Sequence, residues 1–149
     1  MPDPVASKTP FNLERFLSAQ AAVYASALAE LHSGQKRTHW IWFIFPQIEG
    51  LGHSSTSMHY AIKGLAEARA YLNHPVLGPR LIECAEAVLA VEGRTASDIF
   101  PYPDDLKLRS SMTLFDSVAE PGSVFGRVLD KYFQRKRDER TLQLLKQRA

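Results

Sequence analysis

The chain reads as all-α, a compact single-domain bundle of about six to seven helices. Apolar residues return every three or four positions through successive stretches. No stretch sustains the alternation of apolar and polar residues that a half-buried strand requires. The most β-prone run, IWFIF at 41–45, stands without a second strand to pair with, and a lone strand leaves both edges open. With 149 residues, of which 45% are hydrophobic, the chain can build one substantial core, whereas two domains would each be marginal.

The first ten residues hold three prolines and read as a disordered tail, leaving 11–149 as the folded unit. The first helix is expected over NLERFLSAQAAVYASALAELHSG, with Leu13, Phe16, Leu17, Tyr24, Leu28 and Leu31 on one stripe, Asn12 as cap and Gly34 as stop. HWIWFIFPQ reads as a short helical or irregular buried segment, started near Thr38 and ended by Pro46. The next helix is expected over 57–72 with Ile62, Leu65, Ala68, Arg69 and Leu72 on one helical period, ending at Asn73-His74-Pro75. A further helix begins near Pro75, since proline suits a first turn, carries Leu77, Leu81, Cys84 and Val88 inward and stops by Gly93. After the elbow PYPDD, the segment DDLKLRSSMTLFDSVA places Leu108, Met112 and Phe115 on one stripe and Asp104, Lys107 and Ser111 on another. SVFGRVLDKYF and a last helix from Asp138, with Leu142 and Leu145 inward, complete the set.

Lys plus Arg exceed Asp plus Glu by two, a small surplus over mixed charges, so nucleic acid is not the expected partner. The basic stretch QRKRDER at 134–140 reads as a solvated connector, with phosphate-backbone contact as the minor reading. The single cysteine, Cys84, forms no internal disulfide, the first residues do not resemble a signal segment, and no apolar run approaches the ~20 residues that span a bilayer. A cytoplasmic protein without membrane contact is expected.

Candidate chemistry gathers in three places. In HWIWFIFPQ the aromatic rings are core material, but each indole N–H of Trp40 and Trp42 needs an acceptor, and His39 and Gln47 bracket the block with hydrogen-bonding groups. The following loop, EGLGHSSTSMHY, offers two glycines for close backbone approach and Ser54 before a helix start. In DDLKLRSSMT, Lys107 next to Ser110 and Ser111, with Asp104 one turn earlier, suits a phosphate or carboxylate. The structural alternative is that Asp104 caps the helix and pairs with Lys107 while the serines allow close packing. Arg80, in NHPVLGPRL, is a further candidate for an anion. The histidines lack zinc-ligand spacing, and neither a metal nor a cofactor is expected.

The ordered series SAQ, HWIWFIFPQ, GLG, YAI, AYLNHPVLGPRL, KLRSSMTLF and RDERTLQLL resembles an uncharacterised bacterial family, domain of unknown function 1810, some of whose members carry the label calpastatin-like. The resemblance spans about residues 11–146 and implies a compact, mostly helical fold; it supplies no activity. The calpastatin label has no counterpart in these residues, because those inhibitors resemble flexible polar repeats. Members tend to have glycine where this chain has Pro101 and the basic QRKR. The order of elements is also similar in layout to the NADAR family of small helical proteins linked to NAD and ADP-ribose chemistry.

The expected function is binding of a small anionic, nucleotide-like ligand in a polar pocket that draws on His39, Trp40, Trp42, Gln47, Ser54, Arg80, Asp104, Lys107, Ser110 and Ser111. The rival is a module that binds a protein partner through an exposed aromatic patch. A hydrolase of NAD- or ADP-ribose-related compounds, with His39 or Asp104 in acid or base work, is the third reading.

Overall fold

The computed structural model describes residues 11–148, so the expected N-terminal tail lies outside the described residues. Among these residues there are ten helices: α1 (Glu14–Ala21), α2 (Tyr24–His32), α3 (Ile41–Ile44), α4 (Ser55–His59), α5 (Leu65–Asn73), α6 (Leu77–Ala90), α7 (Ala96–Ile99), α8 (Asp104–Asp116), α9 (Val124–Phe133) and α10 (Glu139–Gln147). The all-α class holds, but the count exceeds the expected six to seven because tertiary contacts interrupt two of the expected helices and the unexpected single-turn helix α7 forms behind a Thr95–Asp98 capping box.

The first is interrupted at Ala22 and Val23. The break lets α1 pack on α3 while α2 packs on α6, and Gln20 at its edge is buried with its amide donating to Phe43 O (2.8 Å) and the Tyr71 hydroxyl (3.0 Å). The second is interrupted between His59 and Leu65, where Ile62 is extended instead of helical. Ile62 N donates to Gln47 O and Glu49 N donates to Ile62 O, both at 2.8 Å, a one-residue parallel bridge that ties 47–49 to 62. Arg15 of α1 holds the same break from the other side. Its guanidinium donates to His59 O, Ala61 O and the buried Glu67 carboxylate at 2.7, 2.8 and 2.9 Å, so this ion pair is fully hydrogen-bonded.

The core runs through α8, whose Leu108, Met112, Leu114 and Phe115 are buried against α5, α7 and α9. Gly78 lets α6 cross α5 closely: a Cβ there would lie 2.0 Å from Leu72 O. The last helix starts after Asp138 as expected; Asp138 caps it, accepting from Thr141 N at 3.2 Å, and also takes the Ser110 hydroxyl at 2.9 Å, which docks α10 on α8. Asp104 is the first residue of α8, with Pro103 in the cap position.

The run that contains both tryptophans is one turn of helix, α3, held by a carboxylate ten residues upstream. Glu30 of α2 accepts from Arg37 N (2.7 Å), Thr38 N (3.1 Å), Thr38 Oγ1 (2.7 Å) and Trp40 Nε1 (2.9 Å). Burial works to raise its pKa, yet the four donors outweigh it and hold the carboxyl at about 2, well below its usual range. Thr38 is therefore tied to Glu30 and does not cap α3.

Candidate functional site

A cavity of about 170 Å³ opens between α3, the loop 47–52, α4 and the first turns of α8. One wall is Trp42 from α3 with Gln47 and Ile48; the loop Glu49-Gly50-Leu51-Gly52 forms the second; Ser57, Met58, Tyr60 and Ala61 form the third. Pro103, Leu106, Lys107 and Ser110 close it from α8.

Four of the expected site residues line this cavity: Trp42, Gln47, Lys107 and Ser110. Lys107 Nζ lies 5.0 Å from the Trp42 ring centroid, a cation–π distance, and 3.7 Å from Asp104 Oδ1. Asp104 Oδ2 is bound closer by Lys36, at 2.8 Å, so the shorter ion pair belongs to Lys36 and the Lys107 charge is left with no partner at hydrogen-bond length among the described residues. Trp42 Nε1 is buried and has no acceptor among the described residues. Gln47 makes one long contact, Nε2 to Phe45 O at 3.4 Å. The N–H groups of Gly50, Leu51 and Gly52 donate to no acceptor among the described residues. The lining is thus rich in uncommitted donors. Two lining serines are committed: the Ser110 hydroxyl is shared between Leu106 O and Asp138 Oδ2, and Ser57 N donates to Ser54 Oγ. Glu49 supplies the carboxylate of the lining and is paired with Arg148 at 3.0 Å.

The other six expected residues lie outside the lining, each for a physical reason. Trp40 is 1% exposed, with its ring against Phe45 and Phe100 and its N–H on Glu30. Ser54 caps α4, accepting from Ser57 N at 3.1 Å. Arg80 stacks on Tyr24 at 4.8 Å and donates to Gln20 Oε1 at 3.3 Å on the α2–α6 side. Asp104 stands behind Lys107, held by Lys36. Ser111 is fully buried in α8 with no hydrogen-bond partner among the described residues. His39 is exposed on the turn before Trp40.

Sequence reasoning did not single out Glu49, Met58, Tyr60 or Leu106. The glycine pair in GLG was the available signal for the loop: a Cβ on Gly52 would meet Ser57 Oγ at 2.6 Å, and Gly50 has φ +109°. Nothing local marks Leu106, an exposed apolar residue on a polar stripe. No group of three or more His, Cys, Asp or Glu residues among the described ones is placed to hold a metal ion. Nor is any described helix long and apolar enough to cross a membrane.

Comparison with known proteins bears on family and fold. No curated protein matches the chain. Among solved structures, the conserved hypothetical protein Rv1873 from Mycobacterium tuberculosis is 51% identical, with a TM-score of 0.91 over 93% of this chain and 99% of that one. The family model described as protein of unknown function, DUF1810, matches residues 10–145. That match takes in all but the ends of the sequence, and the chain therefore belongs to the DUF1810 family.

Proposed function

We propose that the protein binds a small ligand bearing an anionic, acceptor-rich group in the cavity between α3 and α8. The observation that carries this reading is Lys107, a cavity-lining cation over the Trp42 ring whose neighbouring carboxylate, Asp104, is held at shorter range by Lys36. A ligand anion beside Lys107 would give that charge the close partner that Asp104 gives to Lys36, and the polar side chain of Gln47 and the 49–52 loop line the same cavity.

Cavity size limits what enters. Sites for drug-sized ligands are typically about 300–1,000 Å³, so this one takes a head group or a single ring and not a dinucleotide. The hydrolase reading draws no support from the geometry, because His39 lies off the cavity and Asp104 is bound to Lys36. The reading of an exposed aromatic patch fares no better. Trp40 is buried, and among the large exposed hydrophobics Met58, Val76, Ile82, Tyr102 and Leu106 only Tyr102 is aromatic.

Thermal unfolding in the presence of inorganic phosphate, nucleoside monophosphates, NAD and ADP-ribose tests the proposal, with Lys107→Met as the control. A ligand at about 100 times its Kd adds about 2.7 kcal/mol, which raises Tm by roughly 5–10 °C in a domain of this size. Lys107→Met should abolish the rise while leaving the unliganded Tm within about 2 °C, since its ion pair is long and part-exposed. Equal shifts in the variant and the wild type would exclude this cavity as the binding site.

A further inference from the structure

We infer that the ligand of this cavity is an organic monoanion with an apolar or planar body, the charge held inside and the body lying across the rim; this rests on the proposed binding role. The first ground is charge. The cations at the site are Lys107, Lys36 and Arg148, and two of the three are matched by the carboxylates of Asp104 and Glu49. One positive charge remains, on Lys107. Behind Ser110 stands a further carboxylate, Asp138, which opposes any second negative charge in the cavity. A polyphosphate would bring charges that nothing in the lining neutralises, whereas a carboxylate or a phosphodiester brings one.

The second ground is the rim. Five large hydrophobic side chains are exposed among the described residues, and two of them, Met58 (59%) and Leu106 (45%), line this cavity, one from α4 and one from α8. A third, Tyr102, immediately precedes the lining residue Pro103. Exposed apolar side chains are ordinary when scattered. Here they border the cavity that Trp42 and the unmatched lysine also line, and Met58 and Leu106 give flexible apolar side chains against which a ring or short alkyl chain can lie.

Binding measured by calorimetry at pH 7.5 separates the components. The probes are 3′,5′-cyclic AMP, a phosphodiester monoanion, and indole-3-acetate, a carboxylate; the comparisons are AMP and ATP for charge, and acetate for the missing body. At least one of the first two should bind about tenfold or more tightly than AMP, ATP and acetate, and which of the two binds identifies the acid group. Met58→Ala and Leu106→Ala should each weaken that binding by roughly threefold to tenfold, the effect of one or two buried methylenes, while Ile82→Ala, an exposed apolar residue away from the cavity, should not. Both rim positions are exposed, so the variants are expected to fold. Lys107-dependent binding of AMP or ATP equal to or tighter than that of cyclic AMP and indole-3-acetate would overturn the inference and leave the cavity role standing. Unchanged affinity in both rim variants would overturn the apolar body. No binding by any probe would overturn the inference together with the role it rests on.

Discussion

Replacing Glu30 should reveal how much of the α3 region depends on one carboxylate. In Glu30→Ala, Trp40 Nε1 loses its acceptor in a residue that is 1% exposed, at a cost of about 1–3 kcal/mol. The Arg37 and Thr38 donors lie at the surface and turn to water, so their loss adds about 1 kcal/mol more. A total near 3 kcal/mol corresponds to a fall in Tm of roughly 10 °C. Glu30→Gln is the informative companion. An amide oxygen in the place of Oε1 still accepts from Arg37, Thr38 and Trp40, and the amide nitrogen can donate to Thr38 Oγ1, so only the charge is lost. That should cost about 1–2 kcal/mol, allowing for screening by solvent. The charge has a pH signature. The folded-state pKa, about 2, lies below the ordinary 4.5, so the stabilisation is present in full above pH 4.5 and is lost as pH falls from 4.5 toward 2. Urea unfolding of the wild type and Glu30→Gln at a series of pH values gives the comparison, because other carboxylates titrate alike in both. Their difference in stability should shrink toward zero near pH 2. A difference that stays constant from pH 7 to pH 2.5, or equal losses in Glu30→Ala and Glu30→Gln, would refute the reasoning.

Two further outcomes follow from packing. Gly78→Ala should be among the most damaging single-methyl additions in the chain, because the new Cβ meets Leu72 O at 2.0 Å and α5 must shift away from α6; a loss above about 3 kcal/mol, or failure to fold, is expected in chemical denaturation. Cys84 should resist alkylation by iodoacetamide at pH 8 in the native protein and react at once in urea, since burial, the largest influence, lifts its thiol to about 12; both reactions are followed by mass spectrometry.

Helical periodicity located the elements that bury one stripe, and the stripe Leu108-Met112-Phe115 is buried as the spacing implies. It failed where a long-range contact overrides a locally acceptable pattern. Nothing in YAI distinguishes an extended Ile62 from a helical one, because its bridge partner, Ile48, lies in another segment. Trp40 and Trp42 illustrate the same limit at the site. They are equivalent by spacing and side-chain chemistry, yet one indole finds Glu30 and the other finds no acceptor, a difference decided by where α2 ends relative to α3. Lys107 was legible as a cation beside hydroxyls, whereas its separation from Asp104 was not, because the competitor Lys36 is far away in sequence. The rim was invisible for a related reason: Met58 and Leu106 come to border one cavity only once α4 and α8 are placed around it.

The bridge between Ile48 and Ile62 has an evolutionary implication. Its two hydrogen bonds contribute about 2 kcal/mol in all, roughly what closing a loop of this length costs in chain entropy. The surplus comes from the isoleucine side chains, both buried at 2% or less and each contributing about 1.5–3 kcal/mol. The neck is therefore anchored in the core while the tip, 53–56, stays exposed. The exposed side chains of His53, Ser55 and Thr56 can therefore change from one relative to the next without loosening that anchor, whereas Ser54 is held to its place by the cap it makes on α4.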